Sequence, residues 1–385
     1  MDVRWMTQAL SLAQKALYIP SPNPRVGCVI VRDEQVLAQG STQAAGQAHA
    51  EVMALRQLKL QGLSAHGATV YVTLEPCSHT GKTPPCVEAL IQARPQRVVI
   101  AHVDPNSKVS GRGVQALRQA GIEVEVGVCA KHALEVNPGF LYRALFGLPY
   151  VWLKIAASLD GYTATQTGQS QWITGEAARA DGHHWRARSC LVLTGSGTVK
   201  ADNPQMNVRA VQTDRQPLRA VIDGRLDIPL HSKLLQTPGL IIFTASQSAD
   251  KVAAMTERGA KVVYLPAQTT QAQDTQRVDL PSVMRWLADH EINEVHVEAG
   301  GRLNQALWQA GCVDELLVYM APILLGGGDA MLQVEPVLSL ETVKRWTMLQ
   351  ASTVGTDARL RLRNPQRWQQ LEAHIQMLNE QVLSA

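Results

Sequence analysis

Two segments decide the fold: His49-Ala50-Glu51 and Glu75-Pro76-Cys77-Ser78-His79-Thr80-Gly81-Lys82-Thr83-Pro84-Pro85-Cys86. His49 and Glu51 open an apolar pattern at helical spacing through Val52, Leu55 and Leu58. Pro76-Cys77 follows a β-type run from Ala68 to Leu74, and Cys86 opens a second helical pattern with Val87, Leu90 and Ile91. Polar and sulfur ligands at a strand end and at two helix starts suit an α/β sheet, which places its chemistry at those points. One imidazole and two thiolates suit a tetrahedral Zn2+ whose fourth position stays open for water.

Glu51 follows His49 by two residues, close enough to reach that water without ligating the metal. A water acidified by zinc, with a carboxylate to carry its proton, is equipment for hydrolytic removal of an amino group from a base. The general signature for this chemistry is H-x-E followed by P-C-x-x-C. Here eight residues, not two, lie between Cys77 and Cys86. A structural zinc closed by protein would need a further Cys or His, and His79 is the sole local candidate. Taken singly, the cysteines could be small buried hydrophobes; their conjunction with His49 and Glu51 favours zinc catalysis.

A length of 385 residues implies two or three domains, each with its own core. The net charge of +3 and the absence of a long basic run give no argument for a nucleic-acid partner. Six cysteines are too thinly spread for a disulfide framework. Residues 1–25 lack the layout of a secretion signal, and the apolar stretch Leu316 to Leu325 is half the length of a membrane span. The expectation is a cytoplasmic protein with no membrane partner.

The spacing of Met6, Leu10, Ala13 and Leu17 predicts a helix near 2–18, and Pro20, Pro22 and Pro24 then impose an extended path. Strands are expected at 26–31, 35–38, 68–74, 96–103 and 122–126, with a helix over 112–120. Residues 137–149 read as a connector. A second α/β pattern begins at Tyr150, with Val151, Leu153 and Ile155 facing one way and Trp152 and Lys154 the other. Further strands are expected at 191–194, 220–223, 240–243, 261–264 and 294–298, and helices at 175–188, 248–258, 281–289 and 302–310. Residues 266–277 read as a Gln/Thr-rich surface loop. Beyond Pro365, Leu371, Ile375, Leu378 and Leu383 form an amphipathic stripe that would pack on the parent domain or on a partner helix.

Two glycine-bearing turns of the second half suggest an anionic ligand. Glu298-Ala299-Gly300-Gly301-Arg302-Leu303-Asn304 lies where a strand gives way to a helix, whose free N–H groups favour a phosphate. Thr194-Gly195-Ser196-Gly197-Thr198 offers a flexible turn at the same end of the sheet. Neither is a dinucleotide fingerprint, so a nucleotide site and a purely structural turn both remain open. Ser170-Gln171-Trp172-Ile173-Thr174-Gly175, with Arg186 and Arg209, adds side chains able to hold phosphate, unless these arginines simply face solvent beside a helix cap at Thr174.

Together these residues resemble the bifunctional riboflavin-biosynthesis deaminase/reductase family. The resemblance runs through Pro22-Asn23-Pro24-Arg25-Val26-Gly27, His49-Ala50-Glu51, and Thr73 to His79 through Thr83 to Cys86, whose wide cysteine spacing is this family's own form. It continues in Lys154 to Gly161, Ser170-x-Trp172-Ile173-Thr174, Asp202-Asn203-Pro204 and Val297 to Gly301, covering residues 1–365. It implies a cytidine-deaminase-like domain (1–147), a dihydrofolate-reductase-like domain (148–365) and a helical tail (366–385). Zn2+ would be held by His49, Cys77 and Cys86, with Glu51 as the catalytic proton carrier and Asn23, Lys82 and Asn106 on the substrate. NADPH would lie along Ala156, Trp172, Thr198, Asp202 and the turn Gly300, Gly301, Arg302, Leu303 and Asn304. Lys154, Ser170, Arg186, Met206, Arg209 and Glu298 would hold the phosphoribosylaminopyrimidine.

The implied reactions are deamination of 2,5-diamino-6-ribosylamino-4(3H)-pyrimidinone 5′-phosphate and NADPH-dependent reduction of its ribosyl group to ribityl. The chain departs from the family pattern at Thr42, where a substrate-contacting histidine is expected, and at Met206, where leucine is usual. A homo-oligomer is expected for a chain of this size. The competing reading, a nucleic-acid or nucleoside deaminase with an accessory binding domain, shares the zinc residues but would want a basic surface.

Overall fold

The computed structural model describes residues 1–18, 22–79, 84–106, 109–267, 276–334, 336, 338–343 and 345–384. The chain divides into two compact units, Met1–Gly147 with Gln369–Ala385, and Leu148–Trp368.

In the first unit the elements run α1 (Asp2–Lys15), β1 (Gly27–Arg32), β2 (Gln35–Ser41), α2 (Ala50–Leu60), β3 (Thr69–Val72), α3 (Cys86–Ala93), β4 (Arg97–Ile100), α4 (Arg112–Gln119), β5 (Glu123–Val126), α5 (Ala130–Val136) and α6 (Pro138–Phe146). The sheet order is β2-β1-β3-β4-β5. β1 is antiparallel to both neighbours, whereas β3, β4 and β5 are parallel. Side chains alternate between the faces. Cys28, Ile30, Val70, Val72, Val98 and Ile100 pack in one core with α2 and α3, and Val29, Val31, Tyr71 and Val99 in another with α1. Two glycines let helices press on the sheet. A Cβ at Gly27 would lie 1.9 Å from Ala9 O, and one at Gly40 would lie 2.3 Å from Ala50 O.

The second unit runs β6 (Tyr150–Ser158), β7 (Tyr162–Ala164), α7 (Glu176–Arg188), β8 (Leu191–Gly195), α8 (Ser196–Asp202), β9 (Leu218–Ile222), β10 (Leu240–Thr244), α9 (Ala249–Glu257), β11 (Lys261–Tyr264), α10 (Leu280–Asp289), β12 (Glu294–Glu298), α11 (Gly301–Gln309), β13 (Glu315–Ala321), β14 (Asp329–Ala330), β15 (Thr347–Val354) and β16 (Asp357–Arg363). Nine strands are ordered β11-β10-β9-β8-β12-β6-β13-β16-β15. All neighbours are parallel except the β13-β16 and β16-β15 pairs. The chain starts at β6, moves out through β8 to β11, then returns to place β12 between β8 and β6. A crevice for ligand opens at such a reversal, beyond the carboxyl ends of the strands.

The two faces of this sheet differ sharply. Val151, Leu153, Ile155, Val295, Val297 and Val318 join the apolar core with α10 and α11. Trp152, Lys154, His296, Glu298, Glu315 and Tyr319 point the other way, and α7 supplies Asp181 and Arg186 to that polar side.

Most expected elements form within a residue or two of their sequence limits. The pairs β13-β16 and β16-β15 lie where no strand is expected; Leu316 to Ala321 of β13 is a continuous apolar run without alternation, which periodicity cannot assign. Thr194 to Thr198 is no flexible turn: β8 ends at Gly195 and α8 starts at Ser196. Residues 268–275 of the expected 266–277 loop lie outside the described residues.

The tail forms α12 (Pro365–Ser384), with Leu371 and Ile375 buried. Leu378 and Val382 pack on the core of the first unit. Asn379 Oδ1 accepts from Val103 N at 2.9 Å, and Arg118 Nη1 donates to Val382 O at 2.8 Å. No helix among the described residues is long and apolar enough to cross a membrane.

Candidate active sites

In the first unit, His49 is the N-cap of α2 and Glu51 lies in its first turn. Cys77 follows β3 by a short turn, and Cys86 is the first residue of α3. The ligand atoms of His49, Cys77 and Cys86 lie within 4.8 Å of one another, the one such trio found among the described residues. His49 Nδ1 is 3.3 Å from Cys86 Sγ and 3.6 Å from Cys77 Sγ. Cys86 N donates to Cys77 Sγ at 3.3 Å. This donor set and its closeness fit Zn2+. His79 is exposed and outside the trio.

The electrostatics agree with a cation site. Donation from Cys86 and His49 pulls the Cys77 thiol well below its usual range, which favours a thiolate in this pair. Cys86 is pushed up by its bond to Cys77 and by burial, as befits the partner that keeps the proton until a metal displaces it. Burial, then the Cys77 charge, raises buried Glu51 to about 7, the range that suits a group both taking and giving a proton.

The strand end that carries Cys77 is fixed by Glu75, a residue the sequence reading gave no role. Its buried carboxylate accepts from the backbone N–H groups of Asp104 (3.1 Å), Gly111 (3.0 Å), Gly113 (2.9 Å) and Val114 (3.2 Å). Asp104 Oδ1 in turn accepts from Asn106 N at 2.8 Å, and burial, then the nearby Glu75 charge, raises Asp104 to about 7. Glu75 therefore ties the metal-ligand turn to the segment bearing Asn106. The available signal was a carboxylate directly after an apolar strand, which is unusual unless its oxygens are satisfied. Asn23 lies in a half-buried bend before β1, and Lys82 lies outside the described residues. Thr42 is buried, and its Oγ1 accepts from Val26 N at 3.0 Å.

In the second unit, Lys154 and Glu298 are registered partners on adjacent strands. Arg186 meets Glu298 with two prongs, Nε to Oε1 at 2.5 Å and Nη2 to Oε2 at 2.7 Å. Although burial opposes it, Arg186 holds the Glu298 carboxyl well below its usual range. Burial depresses Lys154, with Glu298 opposing and Arg186 adding. Arg186 Nη1 also donates to Asn207 O at 3.0 Å, and exposed Arg209 reaches Asn207 Oδ1 at 3.2 Å. Thus Lys154, Arg186, Glu298 and Arg209 converge, and Met206 adjoins them by sequence. Arg186 does not face solvent beside a cap: the N-cap of α7 is Gly175, with no side-chain bond.

His296 and the set Tyr319, Asp181 and Arg359 were not singled out by sequence. His296 Nε2 lies 3.3 Å from Glu298 Oε1. Tyr319 donates to Asp181 Oδ2 at 2.5 Å, and Arg359 joins the same carboxylate at 2.8 Å.

At the crevice, α8 and α11 start from Gly195 and Gly300 without a side-chain cap. The two starts adjoin: a Cβ on Gly300 would lie 3.9 Å from Thr198 Oγ1, and one on Gly195 would lie 3.3 Å from Leu303. Asn304 is buried with its Oδ1 lacking a partner. Exposed Trp172 stacks under Arg179 at 4.5 Å, and Gln171 Nε2 donates to Asp202 Oδ1 at 2.9 Å. Ala156 is partly buried on β6, and Ser170 adjoins Gln171. Adjoining uncapped helix starts, an orphan amide oxygen and an exposed indole fit a phosphate-bearing nucleotide with a flat ring.

Fold and sites define a bifunctional enzyme, a zinc-dependent deaminase of the cytidine-deaminase-like fold joined to an NADPH-dependent, dihydrofolate-reductase-like oxidoreductase. Residues 1–102 match the cytidine and deoxycytidylate deaminase zinc-binding region, and residues 149–360 match the RibD C-terminal domain. The chain belongs to the RibD family of riboflavin biosynthesis proteins. It is 43% identical over 375 residues to the RibD of Escherichia coli, spanning 94% of this chain and 99% of that one. Identity to the Bacillus amyloliquefaciens RibD is 41% over 365 residues, 94% of this chain and 95% of the relative. An Acinetobacter baumannii RibD structure superposes with a TM-score of 0.84 at 42% identity, covering 94% of this chain and 98% of that chain. A Thermotoga maritima structure named as a diaminohydroxyphosphoribosylaminopyrimidine deaminase and 5-amino-6-(5-phosphoribosylamino)uracil reductase gives a TM-score of 0.81 at 29% identity, with the same coverage.

Proposed function

We propose that residues 1–147 deaminate 2,5-diamino-6-ribosylamino-4(3H)-pyrimidinone 5′-phosphate and that residues 148–365 then reduce its ribosyl group, giving 5-amino-6-ribitylaminouracil 5′-phosphate. The observation that carries this reading is the convergence of His49, Cys77 and Cys86 beside buried Glu51. His49, Cys77 and Cys86 hold Zn2+, which when bound polarises water and lowers its pKa. Glu51 takes a proton from the attacking water and delivers it to the leaving amino group. Asn23, Lys82 and Asn106 hold the pyrimidine phosphate.

In the reductase half, Ala156, Trp172, Thr198, Asp202 and the Gly300–Asn304 turn bind the dinucleotide, which supplies a hydride. Lys154, Ser170, Arg186, Met206, Arg209 and Glu298 orient the sugar phosphate. Lys154 and Arg209 provide the positive charge for the phosphate, since Arg186 is committed to Glu298 and Asn207. The chain acts on this small molecule rather than on nucleic acid, in the cytoplasm, as a homo-oligomer.

One assay tests the whole reading: ammonia release and NADPH consumption followed together with the diaminopyrimidinone phosphate. The expected result is ammonia first and NADPH oxidation after it. NADPH oxidation without prior ammonia release, or ammonia release from cytidine-containing RNA instead, would overturn it.

A further inference from the structure

Asn23 enters the first sheet on a segment held by side chains as well as by strand pairing. Three consecutive residues each exchange two hydrogen bonds with a residue from elsewhere in the chain. Arg25 N donates to Asn137 Oδ1 at 2.7 Å, and Asn137 Nδ2 donates back to Arg25 O at 2.7 Å. Val26 N donates to Thr42 Oγ1 at 3.0 Å, and Thr42 N donates to Val26 O at 3.0 Å. Gly27 N donates to Thr73 Oγ1 at 3.1 Å, and Thr73 N donates to Gly27 O at 3.1 Å. All three clamping residues are buried.

The clamps use the chemistry of a β ladder with side-chain oxygens in place of carbonyls. Asn137 copies both halves of one rung, because a primary amide carries an acceptor and a donor side by side. Asn137 is the N-cap residue of α6, yet its side chain makes no cap bond there. Arg25 extends the grip, donating from Nε to Leu17 O and from Nη1 to Val136 O, each at 3.1 Å. Thr42 is the position where a substrate-contacting histidine was expected; here its hydroxyl is engaged by Val26.

We propose that Asn137 and Thr42 are positioning residues of the deaminase: they fix the backbone from Arg25 to Val26, so that Asn23, two residues upstream, meets the substrate in one orientation. The proposal rests on the assignment of Asn23 to substrate binding. Asn137 and Thr42 act on the substrate only through that loop. Removing a clamp lets the loop sample other conformations, which weakens binding while the zinc residues and Glu51 stay in place.

The test compares steady-state deamination by Asn23→Ala, Asn137→Ala, Thr42→Val and the doubles that combine Asn23→Ala with each clamp change. The single clamp variants are expected to raise KM for the pyrimidine phosphate roughly ten-fold with kcat little changed. Each double is expected to be no worse than Asn23→Ala alone, since a positioning residue has nothing left to position. Zinc content and NADPH-dependent reduction of the deaminated substrate should stay at wild-type levels. Should Asn137→Ala fail to fold, near-isosteric Thr42→Val carries the test with its own double. Multiplying KM effects in the doubles, or a fall in kcat at constant KM, would overturn the proposal. A raised KM in Asn23→Ala beside wild-type KM in both clamp variants rejects the clamps alone. Unchanged KM in Asn23→Ala rejects the Asn23 assignment and the proposal with it.

Discussion

Arg186 on α7 and Glu298 at the end of β12 form a two-pronged ion pair, and Lys154 sits beside that carboxylate on the adjoining strand. Three charges thus meet at the crevice, with two of them already cancelled. Arg186→Ala would strip buried Glu298 of its two-pronged partner and leave Lys154 and His296 beside it, a change that costs at most roughly 3–5 kcal/mol, the range for a buried pair broken outright. The expected outcome is a second unit less stable by that order, with reduction lost and deamination kept. Arg186→Lys should recover little, because an ammonium cannot reproduce the fork. Denaturation curves and NADPH oxidation check this; near-wild-type values for Arg186→Ala would show that the pair is dispensable.

Glu51→Gln keeps the shape of the side chain and removes the proton carrier. The variant should retain zinc, lose ammonia release by several orders of magnitude, and still oxidise NADPH with pre-deaminated substrate. Wild-type ammonia release would exclude the proposed role of Glu51.

Metal removal should separate the two activities. Dialysis against a chelator is expected to abolish deamination and spare reduction, with restoration on adding Zn2+. Cys77→Ser should weaken zinc retention, since it replaces one of the two sulfurs of the ligand trio with a harder, less acidic hydroxyl. Reduction lost in parallel with zinc would contradict separate centres.

Buried His102 gives a pH prediction. Burial pushes it down to about 4, against 6.5 for the unperturbed side chain. The native state thus binds fewer protons than the unfolded chain between these values, and the stability present above pH 6.5 is lost as pH falls towards 4. Between pH 7 and 5 this one residue contributes a loss of about 2 kcal/mol. Its Nε2 has no partner and its Nδ1 lies 2.9 Å from Val103 O, so His102→Phe gives up that one contact, removes the titrating group and should flatten the acid limb by that amount. Urea denaturation at the two pH values measures it, and an unchanged limb would assign acid sensitivity elsewhere.

The site in the first unit was legible because its parts are local: His49 and Glu51 share one helix start, and Cys77 and Cys86 lie nine positions apart in the sequence. The same holds for the alternation in β6, whose apolar residues join the core and whose polar ones face the crevice. What escaped depends on long-range placement. Glu75 and Asn137 are ordinary polar residues until the fold brings backbone groups 29 to 112 positions away within reach. β15, at the sheet edge, is mostly exposed and mixes polar with apolar residues, so it carries little signal, whereas Asp357–Arg363 of β16 alternates charged with apolar residues and was legible as a strand. An arginine at position 186 suits a phosphate by residue type alone, but two of its three nitrogens are taken by Glu298, a residue 112 positions away.

The last helix has a consequence for how the chain is made. Residues from Gln369 onward complete the packing of the first unit, although more than two hundred residues of the second unit are synthesised in between. A ribosome therefore releases the amino-terminal half before the piece that closes it exists. Cutting the gene at the boundary after Gly147 leaves the first unit without the helix that meets Val103 and Arg118, so a single cut does not reproduce either unit whole.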